Sequence, residues 1–79
     1  MNKDEVSSII EAALRSGSRT PGLFDLPKIL HLKSRLQSCN SISDVLGIIQ
    51  EHRNLIAKAF GLSDEQINET LGKLKALGH

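Results

Sequence analysis

Apolar side chains recur along this chain at the three- and four-residue spacing of amphipathic helices, in four successive stretches. The first presents Val6, Ile9, Ile10, Ala13 and Leu14 on one face. Asn2 and Glu5 are spaced as a capping box before it and Gly17 is a natural stop, which predicts a helix over 4–16. The second takes Asp25 as its cap and Pro27 in its first turn, where a missing N–H costs little. It carries Leu26, Ile29, Leu30, Leu32 and Leu36 over 26–39. Ser41 with Asp44, or Ser43 by itself, caps a third stretch over 42–60 that Gly61 ends. The fourth boundary is the best marked. Ser63 caps, Gln66 closes a capping box, Leu62 is placed to staple onto Ile67, and Ile67, Leu71, Leu74 and Leu77 continue the stripe over 64–77. No run alternates β-branched and polar residues between turn pairs. The pattern therefore predicts an all-α fold, a compact bundle of about four helices forming a single domain over 1–79.

The connection from Gly17 to Asp25, with Ser18, Thr20, Pro21 and Gly22, is the one loop of any length. It ends in the apolar run Leu23-Phe24-Asp25-Leu26. This run is expected to close the bottom of the bundle, because Phe24 is one of only two aromatic residues on offer for the core; docking onto another protein is the alternative.

The third stretch is wider than one core-facing stripe. Ile42, Val45, Leu46, Ile48, Ile49, Leu55, Ile56, Ala57, Ala59 and Phe60 spread over an arc of about 200° when placed at 100° per residue. Either this rod is central and covered on both sides, or part of it meets another chain. The expectation carried forward is a symmetric homodimer seam, with Ile48, His52, Arg53, Leu55 and Ala59 at the interface. Arg53 lies inside the apolar arc. Its stem is expected to pack while the guanidinium reaches solvent or a carboxylate such as Glu11 or Glu69, the alternative being an interface anchor. His52, with no carboxylate or histidine three or four residues on, reads as a satisfied rim residue.

Composition narrows the function classes. A 79-residue chain buries only about 60% of its unfolded surface, so a partner subunit would add stability. Cys39 is the lone cysteine, which excludes an internal disulfide, and with His31, His52 and His79 it matches no zinc spacing. No cofactor is implied. The net charge of +1 announces no strongly charged partner. Without tryptophan or tyrosine, the stacking platforms used for single-stranded bases are missing. No stretch approaches the ~20 apolar residues of a membrane span, and a cytoplasmic, reducing location is expected. Lys28, His31 and Arg35 share the exposed face of the second helix, a basic stripe able to receive phosphates or an acidic partner. At a helix C-terminus the Cys39 thiolate is disfavoured. Nucleophile-elbow and phosphate-cradling patterns are absent, so an enzyme is not expected.

Residues 56–71 resemble the helix-turn-helix motif of DNA-binding proteins at Ala57, Gly61, Leu62, Ser63 and Ile67. The resemblance implies a regulator whose last helix reads a groove. It departs at Thr70, where an apolar residue is expected, and at Asp64, Glu65 and Glu69, which repel phosphate. The leading expectation is a non-catalytic protein-protein interaction module, a self-associating small regulator or adaptor acting through helices two and three. The two readings separate in a titration with duplex DNA: the leading one expects no retention even at low salt, whereas a groove reader binds with a steep salt slope.

Overall fold

Among the described residues five helices form where about four were expected, because the third stretch breaks in two. The computed structural model describes residues 1–78, and His79 lies outside the described residues. Among those residues the elements are α1 (Lys3–Arg15), α2 (Leu26–Gln37), α3 (Ile42–Glu51), α4 (Arg53–Phe60) and α5 (Asp64–Leu77), with no strand.

Local chemistry accounts for most of the ends. Asn2 caps α1 by accepting from the amides of Asp4 (3.0 Å) and Glu5 (3.2 Å). Ser41, rather than Ser43, caps α3 by accepting from the Asp44 amide at 3.2 Å. Ser63 and Gln66 exchange the two bonds of a full capping box at the start of α5, at 3.2 and 2.8 Å. Leu62 and Ile67 are both buried in the same cluster, as a staple requires. The α4–α5 turn is made by Gly61, whose φ of 65° is left-handed and favours glycine. Asp25 departs from expectation. Its side chain caps nothing, and a turn in which Gly22 O accepts from the amides of Asp25 and Leu26 starts α2 instead.

The break at His52 has no proline or glycine behind it. His52 leaves helical geometry at φ −107°, ψ 19°, and the side chains around it are drawn to different helices. Arg35 of α2 donates to His52 Nε2 at 2.9 Å, while Arg53 reaches Asn68 of α5 at 2.8 Å. The rod thus bends between two tethers.

The bend also accounts for the width of the apolar arc. Val45 and Ile49 of α3 are buried, as are Ile56 and Ala59 of α4, while Ile48 and Leu55 are half-buried. No large apolar residue between 42 and 60 is exposed. The chain's own helices cover most of the stripe and leave its half-buried edge, with Ile48 and Leu55, as the surface on which the expected seam would have to form. Ala59 is only 2% exposed.

Packing follows a simple order. α3 and α5 meet at the centre, burying Val45, Ile49, Ile67, Leu71 and Leu74; α1 packs on α5, α2 packs on α3, and α4 bridges α3 and α5. α1 and α2 are the two outer helices. Their closest tie is at one end, where Lys3 Nζ donates to the carbonyl of Gln37 at 3.1 Å.

At the other end the chain leaving α1 crosses the α4–α5 turn. The amides of Ser18 and Arg19 donate to the carbonyls of Gly61 (3.4 Å) and Phe60 (3.1 Å). Gly17 lies so close to the Phe60 carbonyl that a Cβ there would overlap it, whereas a Cβ at Gly22 would meet nothing within 4 Å. Gln66 adds to the crossing by donating weakly to Ser16 O at 3.4 Å. Gly17→Ala is therefore expected to lower unfolding stability by about 1–3 kcal/mol, as overpacking does. Gly22→Ala should stay within about 0.5 kcal/mol; urea unfolding of both variants checks the difference.

Candidate functional site

The α1–α2 seam encloses a partly open cavity of about 230 Å³. One wall is the inner face of α1, with Val6, Ile10 and Leu14; the other is α2, with Ile29, Leu32 and Leu36. Ile49, Ile56, Phe60 and Ile67 form the floor. The cause is visible in the packing order: α1 and α2 each lean on a different central helix, and the bridge from Lys3 to Gln37 lies at one end of the seam. Ala13 and Ser7 occupy lining positions on α1 where bulk would fill it. Lys3, Lys33 and Glu11 stand at the polar margin, so the local charge is net positive.

A second feature lies at the start of α2. Phe24 is 93% exposed and Leu23 88%, and one turn further on Leu26 (43%) and Leu30 (58%) lie one above the other on the helix. The expectation that Leu23-Phe24-Asp25-Leu26 closes the bundle is thus corrected. The core cluster is aliphatic, with Phe60 packed against it, and does not include Phe24. Apart from Met1, these four are the exposed large apolar residues among those described. Asp25, within the run, makes no ion pair among the described residues.

The remaining candidate residues serve the fold. Arg35 leaves the expected basic face: it is half-buried, donates to His52 and pairs with Glu51 at 3.5 Å, leaving Lys28 and His31 exposed on α2. Arginine can only donate, so His52 accepts through Nε2 and holds its proton on Nδ1. Arg53 is half-buried. It bonds to Asn68 and to the side chain (3.4 Å) and backbone (3.3 Å) of Asp64, instead of pairing with Glu11 or Glu69, and so clamps α4 to the first turn of α5. Ile48 and Leu55 lie half-buried beside these tethers. Of the five expected interface residues, Ile48, His52, Arg53 and Leu55 are half-buried and Ala59 is buried.

The turn Gly61–Ser63 joins α4 to α5, and α5 is the packed centre of the fold, contacted by α1, α3 and α4. Its open side keeps Asp64, Glu65 and Glu69 exposed. No three histidine, cysteine or carboxylate side chains gather into a metal-binding group among the described residues. None of the described helices is long and apolar enough to cross a membrane. No known protein family, curated protein or solved structure matches this chain.

Cys39 is buried just beyond α2, its Sγ donating to the Arg35 carbonyl at 3.4 Å. Burial pushes the thiol's pKa up and Asp44 adds to the rise, against a smaller opposing pull from Arg35 and Lys3. The direction agrees with the sequence expectation, but the leading cause is burial rather than the helix end. Cys39 is therefore expected to react with a thiol reagent at pH 8 at least 100-fold more slowly in the native protein than in urea, since both access and thiolate fraction are low. Absorbance during disulfide exchange with an aromatic reagent measures the ratio.

Proposed function

We propose that the chain is a non-catalytic interaction module that associates with itself and acts as a small regulator or adaptor by binding other macromolecules. The observation that carries this reading is the exposed apolar ridge of Leu23, Phe24, Leu26 and Leu30. Single exposed leucines are ordinary on protein surfaces, but four large apolar residues within eight positions, including an almost fully exposed phenylalanine, are the composition of a contact patch. Aromatic residues are enriched at such contacts, and burial of Phe24 supplies the largest gain of any exposed residue here.

Of the two helices from which association is expected, this reading favours α2, together with the loop before it, over the 42–60 rod. Small size favours a partner as well, because a domain of this length has little apolar area of its own to bury. A reducing cytoplasm suits the single buried thiol. A groove-reading role has no comparable observation in its favour, given the carboxylates on the open side of α5.

Leu30→Glu tests the reading without touching the core, since Leu30 is already more than half exposed. Loss of a buried leucine contact is worth about 1.5–3 kcal/mol, so self-affinity should fall about ten- to a hundredfold while the melting temperature of the protomer holds. Sedimentation equilibrium across a concentration series reports it. A wild-type chain that stays at 8.6 kDa throughout that series refutes self-association.

A further inference from the structure

The chain carries both an exposed apolar projection and an empty apolar recess, and neither serves the other within one molecule. Phe24 is 93% exposed and does not line the α1–α2 cavity. We infer that the occupant of this cavity is the Leu23-Phe24-Asp25-Leu26 segment of a second copy of the chain, with Phe24 as the inserted side chain. The inference rests on the self-association proposed above and specifies which surfaces meet.

Size, polarity and charge agree. An apolar cavity of about 150 Å³ already admits a benzene molecule, so a space of about 230 Å³ accepts a phenyl ring with room for part of a neighbouring leucine. The walls are aliphatic, with Phe60 in the floor available for a ring-to-ring contact. Asp25 adjoins the inserted residue and has no ion pair of its own, while Lys33 at the cavity margin likewise has none among the described residues. Lys3 is held by the Gln37 carbonyl, and Glu11 is the one acid at the margin, so a carboxylate arriving with the ring meets net positive charge. Docking places Asp25 within reach of Lys33 and removes the most exposed apolar side chain from water. A projection and a recess on different parts of one surface either close by mutual exchange or propagate from copy to copy. In both arrangements each molecule gives a ring and receives one.

The chain has no tryptophan or tyrosine, so Phe24→Trp introduces a single indole reporter into the full-length protein. Its emission is expected to shift to the blue as concentration rises, in step with the increase in mass measured by sedimentation. Two further variants test the pairing: Phe24→Asp removes the projection, and Ala13→Phe fills the recess. Each should remain a protomer, and mixing them should restore an assembly, because one keeps its recess and the other its projection. Circular dichroism checks that Ala13→Phe folds, and the indole titration stands without it. Association of Phe24→Asp with wild-type affinity overturns this inference and leaves self-association standing. A blue-shifted emission at protomer mass shows the ring in its own cavity and overturns it too. A wild-type chain that never exceeds 8.6 kDa removes both readings.

Discussion

The structure depends on one close crossing, where the backbone leaving α1 passes over the turn between α4 and α5. The absent side chain of Gly17 lets the chain rest on the Phe60 carbonyl, and Gly61 turns there through a left-handed conformation. Amides from Ser18 and Arg19 satisfy carbonyls at the end of α4 that helix geometry leaves open. Two parts of the chain more than forty residues apart are fixed to each other by backbone groups, and the direction of α1 follows from that junction. α1 buries Val6 fully and packs Ile9, Ile10 and Leu14 against the core. The crossing and the Lys3–Gln37 bond pin its two ends.

From that placement come the features that bear on function. α1 is committed to α5, and α2 is committed to α3 through Leu32 and the Arg35 bonds to His52 and Glu51. Neither outer helix is free to lean on the other. A seam lined by aliphatic side chains is left between them, and the loop that joins them carries Phe24 away from the interior. The hydrophobic effect has no local means of closing either exposure, because the helices that would have to move are held by polar groups elsewhere.

How far the sequence could be read follows from how local each cause is. Ser63, Gln66 and Ser41 act on amides two or three residues away, so their caps, and with them the starts of α5 and α3, are legible in a linear pattern. The break at His52 is not, because its cause lies in Arg35 and Asn68, which belong to other helices. Treating 42–60 as one straight rod placed Ala59 with Ile48 and Leu55 on a shared outer edge; once the rod bends, Ala59 turns inward. Counting aromatic residues placed Phe24 in the core, but the cluster that forms is built of leucine, isoleucine and valine and leaves Phe24 outside. The cavity is the least legible feature, since it comes from the order in which five helices stack. The small residues Ser7 and Ala13 on the inner side of α1 were the one hint available.

An unfilled apolar space also sets how the molecule answers to compression. Interior volume with no atoms in it is surrendered when the chain unfolds, and the volume lost on unfolding grows with the size of such voids. The space of about 230 Å³ at the α1–α2 seam is partly open, so its enclosed part is what counts as such a void. Pressure therefore has a point of action on the isolated fold at the α1–α2 seam, and an occupant of the seam removes it.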